Sequence, residues 1–242
     1  MIQLYNGDCL VEMQKIPSGS IDAIITDPPY GTTACKWDSV IPFDLMWEQL
    51  NRIIKPNGAI VLFGSEPFSS ALRMSNIKNY KYDFVWSKGY GRDPFATNKR
   101  PMKSHELISI FYKKQPVFNP QKTEGKPYTD KRKNQKIISD HYIKDRIGII
   151  NTGTREPISV LNITPSNSNS LHPTQKPVLL MEYLIKTYTN EGETVLDFTM
   201  GSGTTMIACQ KTNRNGIGIE SDEVYFNTAK KRIKDTKNDT II

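Results

Sequence analysis

Short apolar runs and amphipathic stretches alternate along both ends of the chain. Residues 1–5 and 22–26 read as strands, the second ending at Asp27, with a turn or two of helix at 10–16 between them. Residues 43–54 place Leu45, Met46, Leu50, Ile53 and Ile54 on one helical face, and Pro56-Asn57-Gly58 ends that helix before an apolar strand at 59–63. A helix is predicted at 65–74, and strands at 82–86 and 107–112 flank a polar, basic loop. Beyond a long polar stretch the alternation resumes. A helix at 178–188 carries Leu180, Leu184 and Tyr188 on one side, followed by a strand at 194–198, a helix at 203–211, a strand at 216–219 and an amphipathic helix at 223–233.

Strands alternating with helices predict an α/β fold, a mostly parallel sheet covered by helices on both faces. Residues 115–170 break the pattern. They are rich in Lys, Asn, Pro, Thr and Ser with scattered apolar positions, and read as an insertion in which 166–170 form a short polar loop.

Composition narrows the class. With 242 residues, 37% hydrophobic and 24% charged, and a mean hydropathy of −0.50, the chain reads as globular rather than fibrous or disordered. No apolar run approaches the roughly 20 residues of a membrane span. Asp8 and Glu12 interrupt the start where an export signal would be apolar, so a cytoplasmic protein with no membrane partner is expected. Cys9, Cys35 and Cys209 are odd in number and lack metal-ligand spacing, so neither a disulfide framework nor a metal site is expected. The net charge of +7 is localised. Residues 1–87 hold 7 basic and 9 acidic groups and residues 147–242 hold 10 of each, whereas 88–146 hold 15 basic and 6 acidic. That segregation suits a polyanion-binding face as well as a solvated basic loop.

The first chemical signal is Asp27-Pro28-Pro29-Tyr30 at the carboxyl end of a buried strand, the end at which open α/β sheets bind ligands. By ordinary residue usage this tetrapeptide arises about once in a thousand chains of this size. Asp-Pro alone marks a turn, but two prolines fix φ and bring no amide donors of their own. A prolyl carbonyl and the Asp27 carboxylate then serve as paired acceptors beside a planar ring, a set suited to an exocyclic amino group on a flat heterocycle. The second signal is the run Asp197-Phe198-Thr199-Met200-Gly201-Ser202-Gly203-Thr204-Thr205 between a strand and a helix, with Glu220 ending the next strand 17 residues beyond Gly203. Glu220 stands where a ribose acceptor belongs. No third glycine completes a dinucleotide fingerprint and no Gly-Lys-Ser/Thr follows, so a nucleoside cofactor without a pyrophosphate fits best.

Together with Asn6-Gly7-Asp8-Cys9, Trp86-Ser87-Lys88, His172-Pro173-Thr174-Gln175-Lys176-Pro177 and Gly218-Ile219-Glu220, these motifs resemble the S-adenosylmethionine-dependent amino-group DNA methyltransferases of the permuted beta class. Those enzymes carry Asp-Pro-Pro-Tyr first, a target-recognition region in the middle and the glycine-rich motif near the end, and this chain has that order. The resemblance implies a Rossmann-like sheet of about seven mostly parallel strands, circularly permuted. Residues 1–113 and 171–242 would form the catalytic and cofactor-binding domain, and 114–170 an inserted target-recognition region. It further implies S-adenosyl-L-methionine as cofactor and double-stranded DNA as partner, and leaves a homodimer open. An aspartate at the head of the tetrapeptide resembles the adenine-N6 members more than the cytosine-N4 members, which commonly have serine there. Thr199 departs from the Asp-Pro-Phe that members often carry.

Roles follow from the resemblance. Asp27, Pro28, Pro29 and Tyr30 would be catalytic. Asp8, Asp27, Thr174, Lys176, Asp197, Phe198, Gly201, Gly203, Thr204 and Glu220 would bind the cofactor, with Thr174 or Lys176 reaching its carboxylate. Lys88, Lys99, Arg100, Lys103, Lys113, Lys131, Arg132, Lys133 and Lys136 would contact DNA phosphates, while Asn134, Gln135, Arg146 and Arg155 are candidates for reading bases. His105 and His141 are expected to be structural or DNA-facing, and Trp86 either walls the target pocket or packs the core. The expected activity is adenine-N6 methylation of DNA by base flipping. Its rivals are cytosine-N4 methylation and a catalytically silent DNA-binding protein.

Overall fold

The computed structural model describes residues 1–32, 38–92, 97–129, 136–139, 142–145, 150–165 and 175–239. Contacts divide the chain into a larger unit, residues 1–119 with 159–242, and a smaller one, residues 120–158. In the larger unit the order begins β1 (Ile2–Asn6), α1 (Cys9–Met13), β2 (Ile21–Thr26), α2 (Phe43–Ile53), β3 (Ile54–Gly64), α3 (Phe68–Ser75), β4 (Tyr80–Arg92) and β5 (Lys103–Phe111). The smaller unit contributes β6 (Thr123–Glu124), β7 (Tyr128–Thr129), β8 (Lys136–Ser139), β9 (Tyr142–Asp145), β10 (Ile150–Asn151) and β11 (Thr154–Arg155). The larger unit is completed by β12 (Val160–Asn162), α4 (Val178–Tyr188), β13 (Thr194–Asp197), α5 (Thr204–Lys211), β14 (Asn215–Glu220) and α6 (Glu223–Asp239).

The eight-stranded sheet runs β1-β14-β13-β2-β3-β5-β4-β12 and every pairing is parallel except those of β5 with β3 and β4. It has one strand more than the seven expected. The addition, β12, lies in a stretch that reads as polar insertion, yet Leu161 is buried there and the indole of Trp86 donates to the Ile163 carbonyl at 2.8 Å. Trp86 is therefore a core residue with its polar atom satisfied. Strand alternation splits the core: Ala23, Ile25, Val61 and Phe63 face α4 and α5, while Ile24, Ile60 and Leu62 face the side covered by Met13, Leu50 and Leu72.

The strand order fixes where a ligand can sit. From β2 the chain proceeds outward to β3 on one side, and from β13 to β14 on the other, so the sheet reverses its winding between β2 and β13. Loops leaving such a pair diverge and open a crevice at the carboxyl ends of the strands.

Two local readings change. On α2, Trp47 rather than Leu45 faces inward, because its ring packs 5.0 Å from that of Phe111 and its N–H reaches Ser75 Oγ at 2.8 Å; Leu45 is exposed. Pro56-Asn57-Gly58 lies within β3, where pairing with β2 shifts between Ile21 and Ala23 and a Lys55–Asp22 ion pair of 2.6 Å spans the irregularity. In the smaller unit, β7 pairs with β10, β6 with β11 and β8 with β9, all antiparallel. Arg155 stacks 4.9 Å over Tyr128 and donates to Asn151 Oδ1 at 2.9 Å and the Lys126 carbonyl at 2.5 Å. This guanidinium is engaged within its own unit.

Leu184 on α4 is fully buried. Leu184→Ala is expected to cost about 2–5 kcal/mol, seen as a lower urea midpoint at unchanged m.

Candidate functional site

Asp27 follows β2, Asp197 ends β13 and Glu220 ends β14, and all three open on one cleft of about 300 Å³. Asp8, Pro28, Pro29, Tyr30, Lys176, Phe198, Gly201 and Thr204 line the same cleft, and Gly203 caps α5 behind it. The two distant motifs touch directly, since the Thr199 hydroxyl donates to the Asp27 carbonyl at 3.0 Å.

The Glu220 half is built from backbone. One carboxylate oxygen accepts from the Gly201 amide at 2.9 Å and the other from Asp222 at 2.8 Å, which fixes the carboxylate while burial raises its pKa. Gly201 and Gly203 have φ of 53° and 80°, and a Cβ on Gly203 would come within 2.9 Å of Ala229 Cβ. Asp8 caps α1, accepting from the amide of Leu10 at 2.8 Å and that of Val11 at 3.3 Å. Asp197 is 4% exposed and engaged inside the fold. Its carboxylate accepts from the hydroxyls of Thr26 and Thr205 and from the Thr199 amide at 3.2 Å, while burial pushes its pKa up to about 6. It ties together β2, β13 and α5 at the floor of the cleft.

The Asp27 half is a chain of charges. The Tyr30 hydroxyl donates to one Asp27 oxygen and the Lys176 ammonium pairs with the other. Lys176 lies 3.2 Å from Glu106 Oε2, and Lys88 lies 2.5 Å from Glu106 Oε1. Burial raises the pKa of Asp27 against the pull of Lys176. Burial acts to raise Glu106 too, but Lys176 and Lys88 bring it below its ordinary value. Lys176 is raised despite its own burial, because Asp27 and Glu106 face it. Tyr30 rests 5.1 Å from the Phe68 ring, and the Asp38 carboxylate accepts from the amides of Tyr30 at 2.8 Å, Gly31 at 2.8 Å and Thr32 at 2.9 Å, holding the turn after the tetrapeptide.

Several of the expected contact residues have partners within the protein. Lys176, expected at a cofactor carboxylate, is paired with Asp27, and Lys88, expected on phosphate, is paired with Glu106. Lys99 and Arg100 are exposed, and Lys103 begins β5 at the cleft end of the sheet with its pKa lowered by burial. Lys113 follows the far end of β5, where Phe111 pairs with Ile60 and Tyr80, so it stands at the opposite edge from the cleft. Thr174, Lys131, Arg132 and Lys133 lie outside the described residues, as do Cys35, Asn134, Gln135, His141, Arg146 and His172; Lys136 falls on β8. Sequence reasoning missed Glu106 and Asp38. A lone carboxylate at the mouth of the apolar strand 107–111 was the available signal for the first, and for the second nothing beyond proximity to the tetrapeptide. Among the described residues no group of three or more His, Cys, Asp or Glu side chains could hold a metal ion, and no helix is long and apolar enough to cross a membrane. Burial pushes the Cys9 thiol up to about 12, which removes it as a nucleophile at neutral pH.

The family model N6_N4_Mtase, described as DNA methylase, matches residues 21–231. The chain belongs to this DNA methylase family. It is 28% identical over 253 residues to the type II methyltransferase M.HpaI of Haemophilus parainfluenzae, covering 96% of this chain and 74% of that protein. The crystal structure of the M1.HpyAVI–SAM complex is 32% identical with a TM-score of 0.66, covering 96% of this chain and 99% of that one. The cytosine-N4-specific PvuII DNA methyltransferase, at 19% identity, shares the fold with a TM-score of 0.68, covering 98% of this chain and 91% of that one. The fold is thus common to relatives of differing sequence.

Because native Asp197 holds its proton more tightly than in the unfolded chain, from 3.8 to about 6, its contribution to stability is complete below about pH 4 and is lost as pH rises through 6. Wild-type protein is expected to gain stability relative to Asp197→Asn as pH is lowered from about 8 to about 5. Urea midpoints of both proteins across that range check it.

Proposed function

We propose that this DNA methylase transfers the methyl group of S-adenosyl-L-methionine to the N6 amino group of an adenine flipped out of duplex DNA. The observation that carries the proposal is the presence of the Asp27 and Glu220 carboxylates in one cleft at the reversal of the sheet. The site fits the cofactor. A carboxylate fixed by two backbone amides offers its remaining lone pairs to a ribose diol, Asp8 lies beside it for the adenine amino group, and the cleft volume is at the lower end of the range for such ligands. When bound, the cofactor supplies an electrophilic methyl carbon on a sulfonium.

Adenine N6 is a weak nucleophile because its lone pair is delocalised into the ring, and in a duplex it is out of reach. In the proposed pose one N6 hydrogen is accepted by Asp27 and the other by the Pro28 carbonyl, with the purine against Tyr30. Holding both hydrogens favours a tetrahedral nitrogen whose lone pair lines up with the methyl carbon. The C–N bond forms as the C–S bond breaks, and the surplus N6 proton passes to Asp27, whose raised proton affinity suits it to accept after transfer. The aspartate at the head of the tetrapeptide supports adenine; a site for cytosine N4 would use the same two acceptors. We assign target recognition to the inserted region, residues 114–170, and phosphate contacts to the basic middle, with exposed Lys99 and Arg100 foremost.

Mass spectrometry of nucleosides from DNA methylated by the protein is expected to give N6-methyladenine, and N4-methylcytosine alone would overturn the adenine assignment. Asp27→Ala is expected to lower single-turnover transfer by about 10²-fold or more, with cofactor affinity within a few-fold of wild type. DNA affinity should fall on the order of 10³-fold between low and moderate salt if about six phosphates are engaged.

A further inference from the structure

We propose that Glu106, held between Lys176 and Lys88, is a positioning residue that sets the orientation and proton affinity of the Asp27 carboxylate. The inference rests on Asp27 being the group that receives the N6 proton, as proposed above.

Four side chains from four places in the sequence form an alternating row: Asp27 after β2, Lys176 before α4, Glu106 on β5 and Lys88 on β4. Their side chains are 20%, 7%, 14% and 17% exposed. Two cations between and beside two carboxylates leave the row neutral, which is how buried charge is tolerated. The cations are also walled by aromatic rings. Lys176 Nζ lies 5.2 Å from the centroid of Phe63 and 6.0 Å from that of Trp86, and Lys88 Nζ lies 5.1 Å from Trp86. Glu106 pairs across the ladder with Trp86, so β4 and β5 place carboxylate and ring together. Glu106 also lines the cleft.

Two consequences follow for Asp27. Lys176 without Glu106 has one carboxylate left to face, so it closes on Asp27 and holds that charge more tightly. With Glu106 present, the ammonium is shared, and the second carboxylate adds its own repulsion to the charge on Asp27. Both effects leave Asp27 a better proton acceptor. The other groups facing the row are Tyr30 and Asp38 from the loop after β2, Asp197 from β13, and Lys103 from β5. None of them bridges Lys176.

Opposite charge changes at Glu106 and at Lys88 should therefore move the acid limb of the transfer rate in opposite directions. Single-turnover methyl transfer, measured against pH at saturating DNA and cofactor, reads the limb directly. Glu106→Gln is expected to shift its midpoint down by about one pH unit, a tenfold loss of proton affinity, and to lower the plateau several-fold. Lys88→Gln, which releases Glu106 to draw Lys176 away from Asp27, is expected to shift the midpoint up. Glu106→Asp keeps the charge and should return the midpoint to within a few tenths of wild type. A wild-type midpoint in both Glu106→Gln and Lys88→Gln, or shifts of the same sign in the two, would overturn the inference. If Glu106→Gln does not fold, the direction of the Lys88→Gln shift decides alone. Absence of transferred methyl in the wild-type protein at every pH would instead overturn the underlying assignment of function, so the two failures are distinguishable.

Discussion

The buried carboxylate of Asp197 is the constraint on which the site depends. It is nearly out of contact with solvent, and what keeps it there is a ring of donors from three elements: Thr26 at the end of β2, Thr205 in the first turn of α5, and the amide of Thr199 in the turn between β13 and α5. A buried acceptor without such partners would be costly, so each of these elements is held in register by the need to satisfy it. Thr199 then passes the constraint on, because its hydroxyl reaches the Asp27 carbonyl. The Asp27–Tyr30 tetrapeptide and the glycine-rich loop, about 170 residues apart in sequence, are thus fixed to one another through hydroxyls rather than through a ligand.

Two styles of electrostatic construction meet in the cleft. On the Glu220 side, single carboxylates are held by backbone amides at turns and helix starts, a rigid arrangement that needs no counter-charge. On the Asp27 side, charge is balanced by charge along a row of side chains. The first style suits recognition of neutral hydroxyl and amino groups; the second suits the proton transfer proposed for Asp27.

Much of this was legible in the sequence. Helix α4 occupies the residues its periodicity marks, and the strands ending in Asp27, Asp197 and Glu220 were readable because buried strands in parallel sheets are short, continuous apolar runs with abrupt polar ends. What was not legible depends on neighbours distant in the chain. Glu106 looks like an ordinary polar start to a strand until β4 is laid against it. Lys113 counts toward a basic region in sequence, yet β5 runs against the rest of the sheet and carries it to the other edge. Lys176 sits in a motif that implies cofactor contact, and only the folded chain turns it toward Asp27. Thr199, a departure from the family pattern, is explained by the bond it makes.

The strand order has a consequence for how the chain comes to its fold. β13 and β14 lie between β1 and β2, although they are made nearly two hundred residues later. As the chain emerges from the ribosome, β1 lacks its described partner β14, and one edge of β2, with Ala23, Ile24 and Ile25, lacks its described partner β13 until residues 194–220 arrive. An apolar open edge of that kind is a template for wrong pairing. The centre of the sheet, and with it the whole cleft, is completed only when β13 and β14 join β1 and β2, so a chain made up to β12 has neither the closed sheet nor the assembled cleft.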